Sequence, residues 1–227
     1  MPIAALSFDV PPYRLSGTVY GALLNHRTAL AALGQSVNEP PYKAPPRAPV
    51  LNVKPRNTLS FDGDSVLVPA DAPELEVGAN LAIVIGRSAC RLSEANAFDH
   101  VAGYLILNDV SVPASSQYRP NVRNRARDGF CPLGPGVVAR ALVPDPDSLG
   151  SRVFVDGRLA ASANTSGLIR GVARLLVDVT DFMTLAPGDV LAVGAAVPAP
   201  RVRAGQEVRV EIDKLGSVTT RFVKGPL

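Results

Sequence analysis

The stretch Leu105-Ile106-Leu107-Asn108-Asp109-Val110-Ser111, followed by an arginine-rich run and then Arg127-Asp128-Gly129-Phe130-Cys131-Pro132-Leu133-Gly134-Pro135, governs the reading of this chain. The apolar run from Val101 to Leu107 has the length and composition of a buried strand. It ends on Asn108 and Asp109, and the glycines and prolines of the second stretch mark a turn. An acidic group therefore stands at the mouth of a buried strand, with a cationic loop behind it.

Working outward, Leu81 to Ile85 is another continuous apolar strand, ended by Gly86, and Val19 to Leu24 is a further one. His26 to Leu33 reads as a short helix stopped by Gly34, and Asn38 to Pro49, with its five prolines, as an ordered loop or lid. Asp62-Gly63 is a tight turn before the strand end Val66 to Val68, and Ser93 is placed to cap a helix running through Asp99. Asp156-Gly157 supplies the positive φ angles of a two-residue hairpin between Val153 and Ala160. Leu168, Val172, Leu175, Leu176, Val179, Phe182 and Met183 fall at helical spacing, which predicts the longest helix from Ser166 to near Met183. Pro187-Gly188-Asp189 turns into the strand Val190 to Val193, and Val208 to Ile212 with Val218 to Val223 forms a closing hairpin. The pattern predicts a 17-residue N-terminal extension, then one α+β domain, mostly β, over residues 18–227.

Composition narrows the function. A chain of 227 residues can bury one sizeable core, built on Ala, Val, Leu and Ile because tryptophan is absent and aromatics make up only 5%. A net charge of +3 is too small a surplus to argue for nucleic acid. No apolar run approaches the roughly 20 residues needed to cross a bilayer, so no membrane partner is expected. Cys90 and Cys131 lack paired metal-type spacing, which suits a reduced, cytoplasmic protein.

The Leu105–Pro135 stretch, with Asn164-Thr165-Ser166 and Leu185-Ala186-Pro187-Gly188-Asp189-Val190 downstream, resembles the fumarylacetoacetate hydrolase family in motif content and order over about residues 18 to 223. The resemblance implies the family's mixed β-sandwich-and-roll fold and a site where Mg²⁺ or Mn²⁺ grips a 2-oxo acid, stabilising the enolate that forms when a bond breaks or a proton migrates. Hard oxygen ligands suit such an ion. The family draws them from a Glu-x-Glu pair before an apolar strand and the aspartate of Asn-Asp. Asp109 matches that aspartate, but Gly78 and Asn80 stand where the glutamates belong. Glu74 and Glu76 form a Glu-x-Glu four residues early, a displacement of roughly 13 Å along an extended chain; they read as solvated charges beside a strand, the alternative being a loop that folds back and restores them to the site. The family's His-Glu base dyad falls on Ala29 and Ala32.

What remains is cationic. Lys54, in Lys54-Pro55, matches a family lysine at the strand entering the site, and Arg125 stands where relatives carry an active-site lysine. Lys54, Asp109 and Arg125 are thus the candidate catalytic residues, with Asp109 a remnant metal ligand. His26, Tyr118, Arg119 and Arg127 are candidate substrate contacts, the arginines (with Arg123) forming a local positive cluster suited to a polycarboxylate. Solvated lysine, a packing histidine and an exposed basic loop are the plain structural alternatives.

Within the family, the wording Pro41-Tyr42-Lys43-Ala44-Pro45-Pro46, Lys54-Pro55-Arg56-Asn57-Thr58 and Tyr118-Arg119-Pro120 resembles the first half, or separate first subunit, of a bacterial homoprotocatechuate-pathway decarboxylase/isomerase. That branch implies 5-oxopent-3-ene-1,2,5-tricarboxylate as substrate and 2-hydroxyhepta-2,4-diene-1,7-dioate as the product then isomerised. It also implies a homodimer, or a hetero-oligomer with a homologous metal-bearing second subunit. A catalytically silent scaffold subunit and a β-diketo acid hydrolase are the competing readings.

Overall fold

The computed structural model describes residue 15, residues 18–114, 116, 118 and 121–225. The predicted N-terminal extension and Arg119 lie outside these residues, apart from Leu15.

Strand Ala79–Ile85 shows why the sheet forms as it does. Its residues are apolar without alternation, and both of its faces are covered. Leu81, Ile83 and Ile85 point into the larger core, whereas Ala82 and Val84 join a second, smaller core with Leu105, Leu107, Cys131 and Leu133. This strand pairs antiparallel with Val101–Asn108, which pairs antiparallel with Cys131–Ala139. The seven-stranded sheet runs, edge to edge, Val50–Lys54, Val19–Leu23, Val190–Ala192, Ala79–Ile85, Val101–Asn108, Cys131–Ala139 and Leu59–Phe61.

A five-stranded sheet faces it, in the order Arg158–Asn164, Gly150–Val155, Glu207–Ile212, Gly216–Lys224 and Ser65–Val68. Val153, Val208, Val210, Val218 and Phe222 from this sheet enter the larger core. The hairpin at Asp156-Gly157 forms as expected, with φ of 50° and 76°. The architecture is the expected α+β, mostly β, sandwich-and-roll.

Two helix expectations are corrected. The helix predicted from Ser166 to near Met183 is only Val172–Thr180. Asn25 is the reason: its Oδ1 accepts from Arg170 N at 3.0 Å and its Nδ2 donates to Arg170 O at 3.0 Å, while Ile169 N donates to Asn25 O at 2.7 Å. Those backbone groups are taken by a distant loop and cannot serve a helix. The apolar spacing of Leu168 is retained, but as an extended residue in the core. Ser93 caps no α-helix either. Asn96 Oδ1 takes the Ser93 N–H, and the segment makes one turn before the 3₁₀ piece Ala97–His100.

No helix among the described residues is long and apolar enough to cross a membrane.

Candidate active site

The antiparallel ladder between Ala79–Ile85 and Val101–Asn108 does not stop at its paired ends, Ala79 and Asn108. Asp109 N donates to Gly78 O at 2.8 Å, and Glu76 and Ser111 exchange both backbone bonds, at 2.8 and 3.0 Å. This extended backbone fixes which side chains share a face. With a period of two, Glu76, Gly78 and Asn80 look the same way. A second ribbon, Leu75–Glu76 with Arg201–Val202, holds the outer end.

A cavity of about 560 Å³ opens on this face. Glu76, Gly78, Asp109, Ser111, Arg125 and Arg201 line one side. Much of the remaining lining is apolar, from Ala22 to Leu24, from Ala29, Ala32 and Leu33, and from Ala195 to Ala199, with Thr28 among it.

Lys54 lies behind Asp109 and is 2% exposed. Its ammonium donates to Val110 O and Phe130 O, each at 2.7 Å, and sits 3.0 Å from Asp109 Oδ1. Two of its three hydrogens are thus spent on carbonyls, and it meets Asp109 as an ion pair, Oδ1 being buried without an aligned hydrogen-bond donor. Arg125 approaches the same carboxylate oxygen at 3.6 Å. Burial opposes ionisation of Asp109, but the Lys54 ammonium and the Arg125 guanidinium more than offset it and hold the carboxyl below its usual range. Glu76 responds the other way. Its burial outweighs the attraction of Arg201, 3.9 Å away, and of Arg125, so its carboxyl is pushed up.

The arginine cluster divides. Arg125, in the short helix Val122–Arg125, turns into the cavity, whereas Arg127 grips Asp71 with two hydrogen bonds at 2.7 and 3.0 Å and Arg123 joins it at 3.0 Å. Tyr118 is exposed and meets Tyr42 edge-on, ring centres 5.7 Å apart. Tyr42 also bonds Ser116, which lines the cavity, so the proline-rich segment rests beside the cavity mouth. His26 caps the helix Arg27–Ala31 from outside the cavity lining. Its Nε2 donates to Asn164 O at 3.2 Å, which leaves Nδ1 to accept from Thr28. The Thr28 hydroxyl in turn accepts from Val197 N at 3.0 Å, so His26 supports the cavity wall through Thr28.

Sequence reasoning missed two residues. Glu76 was counted by its distance from Asn80, yet it lies only one strand alternation from Gly78 and reaches the cavity. The period-two register was the available signal. Glu74 stays outside, paired with Arg203 at 2.9 Å and Arg201 at 3.5 Å. Arg201 carried no local signal; the ribbon with Leu75–Glu76 brings it in.

The fumarylacetoacetate (FAA) hydrolase C-terminal model matches residues 18–223. The chain belongs to the fumarylacetoacetate hydrolase family. The family relative named 4-hydroxyphenylacetate degradation bifunctional isomerase/decarboxylase, from Salmonella dublin, is 39% identical over 196 residues, covering 86% of this chain and 44% of its own length. The chain thus spans less than half of that curated relative. Among solved structures, 2-hydroxyhepta-2,4-diene-1,7-dioate isomerase from Mycobacterium marinum superposes with a TM-score of 0.75 at 30% identity, covering 94% of this chain and 77% of that one. Maleylpyruvate hydrolase from Sphingobium sp. SYK-6, solved with manganese(II) and pyruvate, gives 0.76 at 28%, covering 92% and 71%.

A divalent cation is therefore found in a family relative, and the residues here can be tested for one. They do not fit it. Gly78 offers no donor, and a Cβ there would stand 3.0 Å from the Ala195 Cβ. Asn80 Oδ1 accepts from Gly194 N at 2.9 Å, so its amide presents hydrogen-bond donors to Asp109 rather than an oxygen to a cation. Asp109 is already neutralised by Lys54 and Arg125. No group of three His, Cys, Asp or Glu side chains suited to an ion occurs among the described residues. Lys54, Arg125, Arg201 and Arg203 against Asp109, Glu76 and Glu74 leave one unbalanced positive charge, a field that favours an anion.

Proposed function

We propose that this chain is the first subunit of a decarboxylase/isomerase acting on 5-oxopent-3-ene-1,2,5-tricarboxylate and 2-hydroxyhepta-2,4-diene-1,7-dioate, paired with a homologous subunit that carries the metal-binding carboxylates. The likeness to the bifunctional isomerase/decarboxylase over 86% of this chain, but only 44% of that protein, carries the reading. It supplies both the chemistry and the need for a second half. The cavity supports it: a cationic floor suits a polycarboxylate, and the apolar wall suits an unsaturated carbon chain.

In such a reaction the carbon–carbon bond to a carboxylate breaks, carbon dioxide leaves, and the electron pair passes to the conjugated oxygen before a proton is taken up. Arg125 is placed to hold and stabilise the developing negative charge. Lys54 acts by keeping Asp109 ionised and fixed rather than by touching substrate, since it is buried behind Asp109 and outside the cavity lining. Ala29 and Ala32 line the cavity where the family's base dyad would stand, which disfavours the hydrolase reading.

The scaffold reading has its own support in Gly78 and Asn80. One experiment separates the two. Carbon dioxide release from the tricarboxylate is measured for the chain alone, for the second subunit alone and for the mixture, with wild-type and Arg125→Met chains. The proposal expects a mixture faster than the second subunit alone, with at least a tenfold loss for Arg125→Met in this subunit. Equal rates for both chains favour the scaffold, and no release in any sample overturns the substrate assignment.

A further inference from the structure

Arg125 is built unlike the other arginines of its loop. Its side chain is 12% exposed, its nearest carboxylate oxygen is 3.6 Å away, and no side-chain hydrogen bond of its guanidinium is found among the described residues. Arg127, two residues on, spends three hydrogen bonds on Arg123 O and Asp71. A largely buried guanidinium with five hydrogens and no aligned acceptor is incomplete, because burying a donor without a partner is costly. The cavity that it lines is where an acceptor can enter.

The same space is closed to a cation. Asp109 is neutralised from behind by Lys54, Asn80 turns its amide hydrogens toward Asp109, and the local charge is already positive by one unit. A dication would enter against this field; a carboxylate would complete it. A planar carboxylate also matches the planar fork of an arginine. Ala195, beside Gly78, and Ala196 belong to the lining, and neither backbone N–H donates to a described residue. Most of the remaining lining is aliphatic, alanine and leucine with Val197 and Pro198, a surface for carbon.

We propose that this cavity binds an organic carboxylate directly, the carboxylate on the Arg125 guanidinium and the carbon tail against the alanine-rich wall, with no divalent cation between ligand and protein. The inference deepens the proposed function and rests on it only for the unsaturated character of the tail.

Isothermal titration of the full chain in EDTA with sorbate, a monocarboxylate with a flat diene tail, tests it, with sorbamide as the uncharged control. Sorbate is expected to bind in EDTA and sorbamide at least tenfold more weakly. Arg125→Met should lose at least tenfold, and Arg125→Lys, which keeps the charge without the fork, at least threefold. Sorbate binding that requires added Mg²⁺ or Mn²⁺, no binding in either condition, or wild-type affinity in Arg125→Met would overturn the inference. Should Arg125→Met fail to fold, wild-type affinity in Arg125→Lys overturns it and a threefold loss supports it. A chain that speeds decarboxylation with its second subunit yet binds no sorbate overturns this inference alone, whereas sorbate binding without any decarboxylation overturns the proposed reaction alone.

Discussion

Replacing Lys54 by methionine keeps much of the side-chain volume and deletes one charge from a fully enclosed position. Three consequences follow from the geometry. Val110 O and Phe130 O lose donors at 2.7 Å, and Asp109 loses its ion-pair partner at 3.0 Å, leaving Arg125 at 3.6 Å. Breaking a buried pair from one side costs about 3–5 kcal/mol, because the remaining charge stays buried. With a urea dependence of about 3 kcal/mol per molar, the midpoint of unfolding should fall by about 1–1.7 M.

The pH dependence supplies a second check on the same substitution. In the wild type the Asp109 carboxyl is held below its usual range, so its contribution is present above the unfolded carboxylate pKa and is lost as pH falls through the lower folded value. In Lys54→Met burial dominates and the folded pKa lies above the unfolded one, so protonation relieves the variant. The stability gap between the two proteins should therefore narrow as pH falls toward the unfolded carboxylate range. Lys54→Met/Asp109→Asn should recover part of the loss, since it removes the stranded charge. A midpoint shift below about 0.3 M, a gap that widens in acid, or a double variant no better than the single would refute the reasoning.

Asn25→Ala removes three hydrogen bonds, a buried one to Val193 O and two part-buried ones to Arg170 O and Arg170 N, and should cost about 2–3 kcal/mol by urea unfolding, with faster amide exchange at Arg170. Burial pushes the Cys131 thiol up to about 12, while Cys90 is exposed, so iodoacetamide at pH 8 should alkylate one thiol in the folded chain and two in urea. Gly78→Glu/Asn80→Glu restores two oxygen donors beside Asp109, and Mn²⁺ affinity measured by calorimetry should rise at least tenfold even though Ala195 must yield by a few tenths of an ångström.

The strands were legible because their signal is local: Leu81 to Ile85 and Val101 to Leu107 are unbroken apolar runs, and Asp156-Gly157 carries its own turn chemistry. The helix ahead of Val172 was not, because Asn25 claims the backbone of residues 169 and 170 from more than a hundred residues away. The site shows the same division. Asp109 followed from the polar break after a buried strand, and Arg125 from its place in the family pattern. Its separation from Arg123 and Arg127 is decided by Asp71, more than fifty residues distant, which no local pattern encodes. Glu76 was within reach of sequence reasoning had the strand register been extended past Gly78.

The central claim is that Lys54 and Arg125, rather than a metal ion, neutralise Asp109. Electron paramagnetic resonance of Mn²⁺ titrated into EDTA-stripped, dialysed chain tests it directly. The account predicts that the free-ion signal persists undiminished at micromolar ion and protein. Stoichiometric loss of that signal, reversed by Asp109→Asn, would contradict it.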